Sequence, residues 1–137
     1  MDLDTLDTRS RANAGIDVIL KHPETGEPLD IVITVLGRDS DAYADKVLEQ
    51  ERALMQRVSK KGRSVMPSPE QIRDDANALL AAVTVGWSGV VMGGEAIAFS
   101  PAAAENLYRQ RHLSWIREQV DEAVHNRALF LPRSVSS

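Results

Sequence analysis

The sequence contains no cysteine and few aromatic residues. Without cysteine, disulfides, thiolate catalysis and cysteine-based zinc sites are excluded, and a reducing compartment is permitted. Aromatic residues make up only 4% of the chain, so we expect an aliphatic core that is rich in alanine.

Long apolar runs and an excess of positive charge are also absent. The longest apolar run, over 78–83, is far shorter than the roughly 20 residues that a membrane helix needs. The acidic start, Met1–Asp7, lacks the basic and apolar regions of a signal peptide. The formal net charge is −4, with 20 acidic and 16 basic side chains, so general binding to nucleic acid is not expected. We therefore expect a soluble, cytoplasmic protein that binds neither membrane nor nucleic acid.

The length and composition predict one globular domain. The chain has 137 residues, of which 43% are hydrophobic and 26% charged, which is typical of a folded protein with its own core. We expect a single domain over 1–137, with flexible ends at 1–13 and 132–137.

The first part of the chain predicts a β-hairpin. Residues 15–21 and 29–36 are rich in β-branched residues, and 22–28 between them contains two prolines and a glycine. Two such runs around one turn most simply pair as antiparallel strands. A lone hairpin is barely stable in water, so its apolar side must pack on the rest of the chain.

The rest of the chain predicts helices. Apolar residues recur at helical spacing in about four segments: 41–60, 69–85, 101–111 and 114–129. The stripe of 41–60 includes Leu48, and that of 69–85 includes Ile72 and continues to Trp87. Ser68-Pro69 and Ser100-Pro101 each supply a capping serine followed by a first-turn proline. For 86–99, a second small hairpin and an irregular loop both remain open. The predicted fold class is α+β, an N-terminal antiparallel β-hairpin followed by about four amphipathic helices.

No catalytic, cofactor-binding or metal-ligating motif has the spacing that its chemistry requires. The sequence 86–90, Gly-Trp-Ser-Gly-Val, lacks the final glycine of a nucleophile elbow. The acidic residues of 39–45 lack the glycine and the closing glutamate of a calcium loop, so helix capping explains them better. We predict that the protein is not an enzyme and needs no cofactor or metal. An enzyme whose site is assembled from scattered residues across an oligomer is the alternative.

The order of short motifs resembles that of the tail assembly chaperones of long-tailed bacteriophages. The matching segments are Gly86-Trp-Ser-Gly89, Ala98-Phe-Ser-Pro101, Glu105-Asn-Leu107, Trp115-Ile-Arg-Glu-Gln-Val120 and Asn126-Arg-Ala-Leu-Phe130, with 22–27 and 36–43 upstream. The resemblance covers most of the chain. It departs from the family pattern at Ser88 and at Gly93-Gly94, where acidic residues around a Trp-Asp-Gly turn are expected.

This resemblance implies a protein that acts during phage assembly in the host cytoplasm and is absent from the mature virion. Its implied partners are the tape measure protein, which it would keep soluble, and the tail tube protein, through a longer form made by ribosomal frameshifting. Self-association is left open. A small structural neck or tail-completion protein of the virion is the alternative function.

Four residues are predicted to bind the partner. Leu54, Met55 and Val58 lie near the end of the first long predicted helix, and the flexible thioether of Met55 suits varied surfaces. Trp115 is added because tryptophan is concentrated at interfaces, with core packing as the alternative.

Overall fold

The predicted hairpin forms the first two strands of a three-stranded sheet. The computed structural model describes residues 2–61 and 66–131. In it, β1 (Ile16–Lys21) and β2 (Pro28–Val35) pair antiparallel, with Ile16 opposite Val35. A third strand, β3 (Thr84–Ser88), pairs antiparallel with the other side of β2, so the order is β1-β2-β3 and β1 is an edge strand.

The third strand corrects the sequence prediction, which continued a helix to residue 85 and placed Trp87 on its apolar stripe. The helix ends at Ala82. Val83 is buried and its carbonyl accepts a hydrogen bond from Leu36 N at 2.8 Å, so the chain joins the sheet at this point. The β-branched residues of 83–85 favour a strand once a partner strand is available.

The segment left open in the sequence forms a second, two-stranded hairpin. Strands β4 (Val91–Met92) and β5 (Glu95–Ala96) pair antiparallel around Gly93 and Gly94. These two glycines have φ of 60° and 80°, the left-handed conformation that a two-residue turn requires. The indole of Trp87 fixes the segment to β3, because its Nε1 donates to Ile97 O at 2.8 Å.

Five α-helices complete the described chain. They are α1 (Thr8–Ala14), α2 (Asp41–Lys61), α3 (Pro69–Ala82), α4 (Pro101–Arg109) and α5 (Ser114–His125), with 3-10 helices at Leu3–Leu6, Arg111–Leu113 and Arg127–Leu129. The capping box predicted at Ser68 is present, with Gln71 N donating to Ser68 Oγ and Ser68 N donating to Gln71 Oε1, both at 3.1 Å.

The α+β class is thus confirmed, but the arrangement differs from the expected hairpin followed by four helices. Residues 1–13, which we expected to be flexible, include most of α1, a helix capped by Asp7 and with Ala12 buried. Residues 132–137, which we also expected to be flexible, lie outside the described residues.

The core lies between the sheet and helices α3, α4 and α5. Its fully buried side chains are aliphatic and include Leu20, Ile33, Val35, Val83, Val120 and Val124. Within the described ranges, no helix combines the length and the apolar character needed to cross a membrane.

Candidate functional site

Helix α2, which carries three of the four predicted partner-binding residues, is fixed to the domain at its first turn. Asn13 of α1 accepts a hydrogen bond from Asp41 N at 2.8 Å through Oδ1, and Arg9 Nε donates to Asp41 Oδ1 at 2.7 Å. The buried Ser40 hydroxyl accepts from Tyr43 N at 3.2 Å. These contacts satisfy backbone donors that a helix start otherwise leaves unpaired.

The C-terminal part of the chain fixes the same turn from another side. Arg127 donates to both carboxylate oxygens of Asp39, at 2.6 and 2.9 Å, and the Tyr43 hydroxyl lies 3.2 Å from His125 Nε2. Hydrogen bonds from Arg127 hold the pKa of Asp39 below its ordinary range, and those from Arg9 do the same for Asp41. Two of the acidic residues of 39–45, Asp39 and Asp41, therefore anchor the start of α2, and Ser40 supplies its capping hydrogen bond.

Beyond its base, α2 packs on α3. The two helices run antiparallel, because Tyr43 and Leu79 line one cavity while Gln50, further along α2, donates to Asp75 O at 2.8 Å. Leu54 and Val58 lie further along the same side of α2 and are half-buried.

A second row of apolar residues on α2 is exposed to solvent. Met55 is 66% exposed and Leu48 is 44% exposed. They are seven residues apart and therefore lie on one face, roughly a quarter turn or more from the face that holds Leu54 and Val58. The apolar stripe of α2 is thus wider than its contact with α3.

Helix α3 also carries an exposed apolar side chain. Ile72 belongs to the apolar stripe predicted for its helix, but the side chain is 57% exposed. It lies one turn before Ala76, which lines a cavity with Tyr43 of α2, so it is on the side of α3 that faces α2. We name the apolar group Leu48, Leu54, Met55, Val58 and Ile72 the distal patch.

Trp115 lies elsewhere. It is half-buried at the start of α5 and packs against the core. It lines a cavity of about 150 Å³ whose described walls are all apolar: Leu20, Ile31, Val90, Val91, Met92, Leu107, Leu113, Trp115 and Ile116. The structure therefore brings together Leu54, Met55 and Val58, and separates them from Trp115.

Ser88 and His22, two residues of types that can take part in catalysis or metal binding, lie in turns or at a strand end and have structural roles there. Ser88 ends β3, and Gly89 follows in a turn with φ of 78°. His22 Nδ1 accepts from Glu24 N and Thr25 N in the β1–β2 turn, at 3.1 and 3.2 Å. In the parts of the chain that the structure describes, no three histidine, aspartate or glutamate residues are grouped to hold a metal ion.

Sequence reasoning missed Leu48 and Ile72 as exposed residues of the patch. Both were placed on apolar stripes, and helical spacing identifies an apolar face but not how much of it a neighbouring helix covers. The width of the stripe on α2 was the available signal.

No family model, curated protein or solved structure matches this chain. Its function is therefore inferred from the residues described above and from the order of motifs in the sequence.

Proposed function

We propose that this protein is a phage tail assembly chaperone that binds the tape measure protein through the distal patch. It would keep that client soluble in the host cytoplasm, promote polymerisation of the tail tube around it and leave before the virion is complete. The tail tube protein would be reached through a frameshifted longer form.

The observation that carries this proposal is the exposure of apolar side chains on α2, a helix whose apolar stripe is wider than its contact with α3. Scattered exposed apolar residues are ordinary, but several exposed apolar residues on two packed helices are typical of a protein-binding surface. Met55 and Leu48 form one row on α2, and Ile72 is exposed on the neighbouring helix α3.

The chemistry of the patch suits a helical client. A long apolar helix presents side chains at i, i+3, i+4 and i+7, and two neighbouring helices provide a groove for such a row. Methionine fits varied partners because its thioether is flexible and polarizable. This supports a long, helical, apolar client, which is what the resemblance implies for the tape measure protein.

The experiment is co-expression with the tape measure protein followed by size-exclusion chromatography. Met55→Asp should abolish co-elution and leave the client insoluble, because it puts a charge in the centre of the patch. Gln56→Asp is the matched control, since it adds the same charge at the next, exposed position of α2. Both variants should keep the circular dichroism and thermal unfolding of the parent.

A third variant shows whether the client binds the distal patch or the apolar cavity beside Trp115. Val91, at the cavity beside Trp115, is 59% exposed, so Val91→Asp tests that surface without disturbing α2. Loss of co-elution in Val91→Asp and not in Met55→Asp would move the client to the Trp115 cavity. Mass spectrometry of purified particles tests the alternative function, because a neck or tail-completion protein would be present there in fixed copy number.

A further inference from the structure

A cavity of about 310 Å³ lies where α3, the end of α4 and the start of α5 meet, and arginines line it. They come from four elements: Arg73 from α3, Arg109 from α4, Arg111 from the following 3-10 helix and Arg117 from α5. None of the described residues in its wall is acidic. Positive charge is thus concentrated at one site in a protein whose net charge is −4.

Among the residues that the structure describes, three of these arginines have no carboxylate within ion-pair distance. Arg109 Nη2 donates to Glu105 Oε1 at 2.8 Å. None of the ion pairs found among the described residues involves Arg73, Arg111 or Arg117. Like charges placed around one cavity repel one another, and a bound anion removes this cost.

Two buried polar atoms at the same site also lack a partner. They are Asn77 Oδ1 and Arg117 Nε, and over 2–61 and 66–131 they are the two buried side-chain polar atoms with no hydrogen bond. Asn77 is only 3% exposed, and both residues line the cavity. Native proteins seldom leave buried polar atoms unpaired, and a ligand or ordered water commonly satisfies such groups. Arg117 Nε is a donor and can pair with an oxygen of a bound anion, whereas Asn77 Oδ1 is an acceptor and needs a donor, such as the hydroxyl of a protonated phosphate or a water molecule.

The start of α5 adds a further positive contribution. Leu113 is the N-cap residue and provides no side-chain acceptor, and Ser114, the first residue of the helix, lines the cavity. The amide of Ser114 donates to Arg111 O, and the amides that follow it, together with the helix dipole, give this end of α5 a partial positive charge that favours an anion.

We propose that this cavity binds a compact oxyanion of the phosphate class, free or carried by a larger molecule. A phosphate group carries about 1.5 to 2 negative charges, which matches several guanidinium groups better than one carboxylate does. The planar guanidinium also pairs with phosphate oxygens through two hydrogen bonds. The cations surround one cavity instead of forming an extended stripe, which favours a single compact anion over a nucleic-acid backbone. This inference does not depend on the proposed chaperone function.

The test is isothermal titration calorimetry of the full chain with inorganic phosphate and with pyrophosphate at constant ionic strength. Saturable binding with one site per chain is expected. Arg73→Gln combined with Arg111→Gln should weaken it about tenfold or more, because both side chains lose their charge at the cavity. Arg38→Gln combined with Arg52→Gln is the matched control, since these exposed arginines lie outside the cavity and the net charge changes equally.

Three outcomes would overturn the proposal. The first is no saturable heat with either probe up to about 10 mM. The second is equal weakening in the two double variants, which would indicate general electrostatic attraction. The third is tighter binding of a glutamate-rich peptide than of pyrophosphate, which would assign the cavity to protein carboxylates. Should the cavity variant lose its helical circular dichroism, the two single variants provide the same comparison.

Discussion

The side-chain amide of Gln119 on α5 pairs with both backbone groups of Lys21 on β1. Its Nε2 donates to Lys21 O at 2.8 Å, and its Oε1 accepts from Lys21 N at 2.8 Å. The amide thus takes the place of a neighbouring strand at the end of an edge strand. Exposed edges invite pairing with other chains, and this contact closes part of one.

Gln119→Ala should lower the free energy of unfolding by about 1–2 kcal/mol, since two net hydrogen bonds are lost where water can replace them. The urea midpoint measures this change, and light scattering reports any association through the freed edge. Gln56→Ala, at an exposed position of α2, is the control and should be neutral. Identical midpoints for both variants would contradict the role of Gln119.

Two carboxylates at the base of α2 make stability dependent on acid pH. Hydrogen bonds from Arg127 and Arg9 hold the pKa values of Asp39 and Asp41 below their ordinary 3.8. Because the folded pKa values are lowered, the stabilisation is present above about pH 3.8 and is lost as the pH falls through them. The urea midpoint should fall more steeply below pH 3.8 in the parent than in Asp39→Asn/Asp41→Asn. Surface pairs are weak, so we expect a modest difference, and equal slopes would argue against these pairs.

The sequence predicted those features whose signals are local. The capping box of Ser68 and the Ser100-Pro101 start each lie within four residues, and both helices begin where expected. The strand β3 could not be predicted in the same way, because 83–85 continues a helical stripe and only pairing with β2, some fifty residues earlier, decides its conformation. Helix α1 likewise depends on Asp41, a distant partner for Arg9 and Asn13.

The two candidate sites also differ in whether local sequence spacing could predict them. Leu54, Met55 and Val58 share one helix, so their spacing alone placed them together. The four arginines of the cavity come from separate elements, and each is unremarkable in the sequence until α3, α4 and α5 pack. The 57% exposure of Ile72 likewise depends on how neighbouring elements cover α3, which residue spacing does not show.

Two glycines of the same segment should respond oppositely to alanine. A Cβ on Gly89 would lie 2.0 Å from Asp30 O, and its φ is 78°, so Gly89→Ala should lower the free energy of unfolding by about 2–4 kcal/mol. At Gly86 nothing lies within 4 Å and φ is ordinary, so Gly86→Ala should be neutral or stabilise by up to about 1 kcal/mol. Chemical denaturation of both variants gives the comparison. A tolerated Gly89→Ala would mean that the turn does not approach β2 as described.

Thr84 and Tyr108 form a buried hydrogen-bonded pair where α3 ends and β3 begins. The Thr84 hydroxyl donates to Leu80 O at 2.9 Å, so Tyr108 donates to Thr84 Oγ1, at 2.7 Å. Thr84→Val leaves the Tyr108 hydroxyl unpaired and should cost about 1–3 kcal/mol. Adding Tyr108→Phe should restore part of this loss, giving a coupling of about 0.5–2 kcal/mol in a double-mutant cycle at pH 7.

The same pair predicts a loss of stability at alkaline pH. Burial raises the pKa of Tyr108 to about 12 from its ordinary value of 10.0. A raised pKa in the folded state means that this stabilisation is complete below pH 10 and is lost as the pH rises towards 12. Tyr108→Phe should therefore flatten the alkaline decline of the urea midpoint relative to the parent. A decline of equal slope in both proteins would show that another group titrates there.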